Sequence, residues 1–301
     1  MTNNKMAKLT MLSGLPASGK STKAKELMEA SGNTIRVNKD LLRTMLHFDE
    51  WTGRNEANTK DAERCLAREF LRCGINVIVD DTNLASGNKE SWRQLAEEMD
   101  AKFEHLNIGT SLDECLERDW DREKSVGRDV IIQVAMRSGL VEKPEKGYVL
   151  CDLDGTLADI RHRLHFVNPE WAAKKGIEFK KDWKAFFARI PQDTLRSDTY
   201  AMIKEFAENG YTIVFVSARS EDYREVTKEW LNRFIEFEYL TLILRRSGDS
   251  RPDTEAKNGM LDAFFPHKEW IYKVVDDRPS VIRMWRENGL DVIDVGPGKE
   301  F

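Results

Sequence analysis

The chain reads as α/β, built as two units in series. Three observations predict this. Short apolar strands alternate with helical stretches throughout. Polar residues recur where those strands end. One polar stretch carrying Pro144 and Gly147, Val141–Gly147, interrupts the pattern near the middle. A length of 301 residues suits two domains, and 41% hydrophobic residues is enough for two ordinary cores.

In the first half, Lys8–Ser13 is predicted to be a buried strand that runs into a glycine loop, with a helix over Ser21–Ala30 after it. Thr34–Val37 and Ile75–Val79 are predicted as further strands. Helices are expected near 56–73, 88–100, 112–122 and 129–139. The second half opens with a strand at Tyr148–Cys151 and continues through Tyr211–Val216, Leu240–Leu244, Ile271–Val275 and Asp291–Val295. The expected domains are 1–143 and 148–301. Asp152, Ser217, Arg245 and Asp276 stand where strands end. Ligands of open parallel sheets bind there, although ordinary turn formers also occupy such positions.

Charge and composition narrow the function classes. The net charge of −5 argues against non-specific coating of duplex nucleic acid, but not against a site that grips one strand end. No apolar stretch approaches the roughly 18 residues of a membrane span, and the first residues lack the apolar core of a signal peptide. The four cysteines form no C-x-x-C pair, so they are expected to be reduced, buried thiols of a cytoplasmic protein.

Gly14-Leu-Pro-Ala-Ser18-Gly19-Lys20-Ser21 matches G-x-x-x-x-G-K-[ST]. Its glycines let backbone N–H groups cradle phosphate oxygens at a helix start. Lys20 suits the β- and γ-phosphates of ATP, and Ser21 suits Mg²⁺. The guanine-reading N-K-x-D motif is missing, which favours ATP over GTP. Asp40 follows the second strand and Arg43 lies one helical turn on, so the two share a face. The pair either accepts a hydroxyl proton while holding an anion, or is a helix cap with a solvated arginine. Asp80-Asp81-Thr82-Asn83 follows the third strand, where an aspartate faces either the Mg²⁺ and acceptor region or a plain turn. Arg118 and Arg122 stand four apart, as a triphosphate lid or a solvated helix face.

Asp152-Leu-Asp154-Gly155-Thr156 carries the second chemistry. One carboxylate can attack phosphorus to form an acyl phosphate. The other can protonate the leaving oxygen and then activate water. The spacing of an EF-hand calcium loop is missing. Ser217 suits a hydrogen bond to the phosphoryl group, Lys257 suits its charge, and Asp276 and Asp277 suit Mg²⁺ together with Asp152. This half resembles the haloacid dehalogenase superfamily over about residues 148–297. The resemblance implies a Rossmann-like sheet, Mg²⁺ dependence and a small helical cap over about 158–197. Trp171, Trp183, Phe186 and Phe187 of that cap either stack on bases or pack within it.

A P-loop unit followed by such a phosphatase resembles the phage-type polynucleotide 5′-kinase/3′-phosphatase family nearly end to end. The resemblance rests on the motifs above, on Asn38-Lys39-Asp40 with Arg43, and on Ser217-Ala-Arg219, Arg245, Gly248–Asp253 and Asp276-Asp277-Arg278. It implies that Gly14, Ser18, Gly19, Lys20, Ser21, Thr22, Arg118 and Arg122 hold ATP, that Asp40 is the general base, and that Arg43 and Asp81 meet the acceptor strand. In the phosphatase it implies catalysis by Asp152 and Asp154, metal binding by these with Asp276 and Asp277, and substrate contacts from Arg163, Ser217, Arg219, Arg245, Asp253 and Lys257. Arg161 competes with Arg163 for one role. The partners implied are RNA or DNA ends, with a polynucleotide ligase downstream, and the family forms homotetramers. A kinase/phosphatase of a small nucleoside or sugar, and a nucleotide-dependent regulatory protein, are the rival functions.

Overall fold

The computed structural model describes residues 6–122 and 124–297, so the domain bounds expected at 1 and 301 lie outside the described residues. The chain divides into two compact units between Ser138 and Gly139.

In the first unit, β1 (Lys8–Ser13) leads to α1 (Lys20–Ala30), β2 (Thr34–Val37), α2 (Lys39–His47) and α3 (Gly53–Arg72). Then come β3 (Asn76–Asp80), α4 (Asn88–Glu98), β4 (Lys102–Asn107), α5 (Leu112–Trp120) and α6 (Arg128–Arg137). The strands form a parallel sheet in the order β2-β3-β1-β4, with Leu9 beside Val77 and Met11 beside Val79. The apolar run of β1 suits a central strand covered on both faces. Leu9, Met11, Val77 and Val79 pack with Leu71, Trp92 and Leu95 from α3 and α4. Strand β4 was not expected. Its sequence, Lys-Phe-Glu-His-Leu-Asn, is half-exposed, and it pairs only with β1, so it hides no apolar run.

The second unit opens with β5 (Tyr148–Cys151). An insert follows with β6 (Ala158–Asp159), α7 (Pro169–Lys174), α8 (Trp183–Phe187) and β7 (Thr194–Leu195). After it come α9 (Ser197–Glu208), β8 (Thr212–Ser220), α10 (Arg224–Phe234), β9 (Thr241–Arg245), α11 (Asp253–Phe264), β10 (Ile271–Asp276), α12 (Pro279–Glu287) and β11 (Val292–Asp294). The main sheet is parallel, ordered β11-β10-β5-β8-β9. The insert is not purely helical, because β6 and β7 pair antiparallel where the chain leaves and rejoins the sheet domain. Ser217 does not follow its strand as expected. It lies inside β8, just before an irregularity in the pairing with β9.

Cys115 and Cys151 are buried free thiols, whereas Cys65 and Cys73, expected to be buried, are exposed. Among the described residues, no helix is long and apolar enough to cross a membrane.

Candidate active sites

The first site grows from the loop between β1 and α1. Gly14 has φ +151°, and a Cβ there would lie 2.7 Å from the Ile108 carbonyl oxygen. Gly19, at φ +97°, is in the left-handed region. The N-terminus of α1 adds unpaired N–H groups and partial positive charge. Lys20 is folded into the loop, donating to Leu15 O at 2.6 Å, Gly14 O at 3.1 Å and Ser18 Oγ at 3.4 Å. Burial lowers its pKa, against the opposing pull of Asp80 and Asp81.

A cleft of about 950 Å³ is lined by Ser18, Gly19, Lys20, Ser21, Thr22, Asp40, Asp81, Arg118 and Arg122, so the structure brings most of the expected residues together. Arg118 Nη1 donates to Ser18 O at 3.3 Å, and Arg122 lies 3.4 Å from Asp119. At the cation end, Arg36 donates to Asp80 Oδ2 at 2.6 Å and to Ser21 Oγ at 3.4 Å. Asp80 Oδ1 is buried without a partner. A hydroxyl and a carboxylate oxygen of this kind fit a hard divalent cation beside a triphosphate.

Asp40 is not a helix cap. Asn38 caps α2 by accepting from Leu41 N at 3.0 Å, which leaves the Asp40 carboxylate 83% exposed. Arg43 does not line the cleft. It donates to Asp40 at 2.7 Å and to Glu56 at 2.8 and 3.2 Å. Asp81 accepts from Lys39 N at 3.0 Å. Its neighbour Glu63, 3% exposed, is pushed up to about 9 by burial and then by the Asp81 carboxylate. Glu63 is thereby held toward its neutral form beside Asp81.

The second site lies where β5, β8, β9 and β10 end. Oxygens of Asp152, Asp276 and Asp277 lie within 4.8 Å of one another, all buried. Lys257 reaches Asp152 and Asp276, each at 2.7 Å. Asp276 also accepts from Trp285 Nε1 at 3.1 Å and from its own following N–H groups, and Thr156 Oγ1 donates to Asp277 at 2.9 Å. Gly155, at φ +85°, is required because a Cβ would collide with the Asp277 carboxylate. Lys257, with Arg278 nearby, does not balance three carboxylates. Burial drives Asp152 up to about 8, with Asp276 and Asp277 adding to it against Lys257, and drives Asp277 up to about 6. A divalent cation would relieve this repulsion, so the cluster fits one.

Asp154, expected among the metal ligands, is not part of that cluster. Arg163 Nη2 donates to it at 2.6 Å and Arg219 Nε at 3.0 Å. Burial pushes its pKa up, but the two guanidiniums win and hold it well below the usual carboxylate range. The two competing arginines differ in their surroundings. Arg163 is fully buried on Asp154, while Arg161 is exposed and pairs with Asp159. Arg245 and Arg278 both pair with Asp253 at the rim. A cavity of about 520 Å³ is lined by Asp152, Asp154, Ser217, Arg219, Arg245, Asp253, Lys257, Asp276 and Asp277.

Asp193 and Glu56 escaped the sequence reading, as did Glu63 beside Asp81. Asp193 is buried beneath both arginines, accepting from Arg163 Nε and Nη2 at 2.7 Å each, from Arg219 at 3.1 Å and from His162 at 2.9 Å. Glu56 holds Arg43. Asp119 accepts from Ser125 Oγ at 2.6 Å and from Gly127 N at 2.9 Å, which anchors the segment after Arg122. Nothing local marks Asp193 or Glu56: each is a lone acid in a polar stretch.

Comparison with known proteins finds similarity in both units. Residues 9–138 match the family model described as an AAA domain, and residues 180–300 match the one described as the polynucleotide kinase PNKP phosphatase domain. A protein of Autographa californica nuclear polyhedrosis virus, described as a bifunctional polynucleotide kinase/RNA ligase, is 27% identical across 95% of this chain and 43% of its own length. The L-seryl-tRNA(Sec) kinase of Methanococcus maripaludis is 30% identical across 41% of this chain and 49% of its own. The chain thus spans about half the length of these curated relatives. Among solved structures, a chain of the Pnkp1/Rnl/Hen1 RNA repair complex aligns over 100% of both chains at 24% identity and a TM-score of 0.43.

Proposed function

With an AAA domain and a polynucleotide kinase PNKP phosphatase domain in one chain, we propose that this protein heals broken nucleic-acid strands. It transfers the ATP γ-phosphate to a 5′-hydroxyl and removes a 3′-phosphate or 2′,3′-cyclic phosphate, leaving RNA or DNA ends for a polynucleotide ligase. The observation that carries this reading is the match of residues 180–300 to a phosphatase domain of polynucleotide kinases, behind a P-loop unit.

In the kinase, the Gly14–Ser21 loop and Thr22 bind the triphosphate. Lys20 leaves the loop carbonyls for the β- and γ-phosphates, and Arg118 and Arg122 close over them to stabilise charge on the transferring group. Asp40 accepts the 5′-hydroxyl proton as that oxygen attacks. Arg43, held by Asp40 and Glu56, reads the strand's neighbouring phosphate, and Asp81 orients the acceptor. Mg²⁺, with Ser21 and Asp80 in the kinase and with Asp152, Asp276 and Asp277 in the phosphatase, would supply neutralisation of phosphate charge.

In the phosphatase, Asp152 attacks phosphorus as the bond to the 3′-oxygen breaks, and an aspartyl phosphate forms. Asp154 gives a proton to the departing oxygen. It then takes one from the water that releases phosphate and restores Asp152. The arginine grip keeps Asp154 ionised at rest, which suits the second step. To protonate the leaving oxygen, Asp154 must first take up a proton from solvent as those arginines yield to the incoming phosphate. Ser217, Arg245, Asp253 and Lys257 shape the phosphate end of the cavity.

Location in the cytoplasm and a homotetrameric state belong to the same reading. Light scattering tests the second. The test of substrate class offers labelled ATP with a 5′-hydroxyl oligonucleotide, or with a nucleoside lacking a flanking phosphate. Label on the oligonucleotide alone supports end healing. Equal labelling of both favours a small-metabolite kinase.

A further inference from the structure

The phosphatase cavity has two unlike walls. Asp152, Lys257 and Asp276 belong to the polar wall; Trp183, Phe186 and Phe187 of the insert form an aromatic one. Packing accounts for two of these rings. Phe186 is 2% exposed beneath the Arg163 guanidinium, whose central carbon lies 4.0 Å from the ring centre. Phe187 sits between Trp183 and Tyr223, with ring centres 5.8 and 4.7 Å away.

Packing does not account for Trp183. It opens α8, lies nearly parallel to Phe187 at 22°, and remains 47% exposed on the cavity lining. A core role would bury the indole, and a solvent-facing position at a helix start gains nothing from tryptophan. Lys181 Nζ stands 5.0 Å from the indole centre and lines the same cavity. The polar wall takes a phosphoryl group, the indole offers a planar apolar face, and the rim carries an exposed cation. A nucleotide at a strand end presents their complements: a phosphate, a base and a following phosphodiester.

We propose that Trp183 stacks on the base of the terminal nucleotide, with Lys181 taking the adjacent phosphodiester, so that the enzyme selects 3′-phosphates borne by a base-carrying nucleotide. This rests on the 3′-phosphatase reading above and adds a recognition element to it. Stacking tolerates every base, because each has a π-face. Selection is therefore against missing bases rather than for a sequence.

The experiment compares phosphate release from two oligonucleotides that differ only at the 3′-phosphorylated terminal residue, one with a base and one abasic. The full-length chain, Trp183→Ala and Trp183→Phe are each assayed with Mg²⁺. The parent should prefer the base-bearing end by about tenfold in kcat/KM, chiefly through KM. Trp183→Ala should bring that ratio near one, and Trp183→Phe should restore part of it. Equal use of both ends by the parent overturns the inference. So does a Trp183→Ala variant that slows both substrates by the same factor, since a packing role would do that. If the folded parent releases phosphate from phenyl phosphate but from neither oligonucleotide, the 3′-end reading fails and takes this inference with it.

Discussion

Asp193 offers the most demanding prediction, because its whole role depends on burial. Its carboxylate accepts four hydrogen bonds, three of them from Arg163 and Arg219, which are 0% and 1% exposed. With Asp154 it brings two negative charges against two positive ones in a largely buried site. Asp193→Ala leaves two buried guanidiniums to share one carboxylate. Breaking such a pair costs about 3–5 kcal/mol. It also loosens the two arginines that hold Asp154, and a misplacement of that order slows catalysis ~100-fold. Urea unfolding of the variant beside its parent measures the first effect. Phosphate release from a 3′-phosphorylated oligonucleotide measures the second, with 5′-kinase activity as internal standard. In a double-mutant cycle with Arg163→Met, the two losses should overlap by about 1–3 kcal/mol. A loss below about 1 kcal/mol with kcat within twofold of the parent would refute the reasoning, because a buried charge pair cannot be removed so cheaply.

The two chemistries should also separate. Lys20→Ala is expected to abolish 5′-phosphorylation and spare phosphate release, and Asp152→Asn to do the reverse; the two assays on one preparation check both. Gly155→Ala places a methyl group on the Asp277 carboxylate and demands a left-handed backbone of alanine, so phosphate release should fall at least ~100-fold while the kinase is retained. Glu63 gives a pH dependence. Its folded pKa, about 9, lies above its unfolded value near 4.5. Its contribution to stability is therefore complete below about 4.5 and is lost as pH rises through about 9. Glu63→Gln keeps a neutral donor toward Asp81, so its unfolding midpoint should fall less than the parent's between pH 7 and 9.5.

The legible parts of this fold were those with short-range causes. A glycine loop between an apolar strand and a helix needs only adjacent residues, so its shape could be read directly. The Asp152-x-Asp154 pair and the aspartates closing β10 were legible for the same reason, since polar residues after an apolar strand mark the sheet's carboxyl edge. What stayed hidden depends on distant partners. Asp193 meets Arg163 across 30 residues and Arg219 across 26, and no local pattern announces a buried acid. The resemblance placed Asp154 among the metal ligands, and the two arginines that hold its carboxylate come from other elements. Strand β4 escaped because an edge strand can afford polar side chains, and β6 and β7 because two-residue strands carry no periodicity. Arg43 was placed on the face of Asp40, but its second partner, Glu56, comes from the next helix.

The proposed function has one chain repair both ends of a break. The direct measurement is mass spectrometry of a cleaved strand whose fragments end in a 5′-hydroxyl and a 3′-phosphate, incubated with the protein, ATP and Mg²⁺. One fragment should gain a phosphate and the other lose one, in the same tube. Two unaltered fragments, from a folded preparation that still hydrolyses ATP or phenyl phosphate, would contradict it.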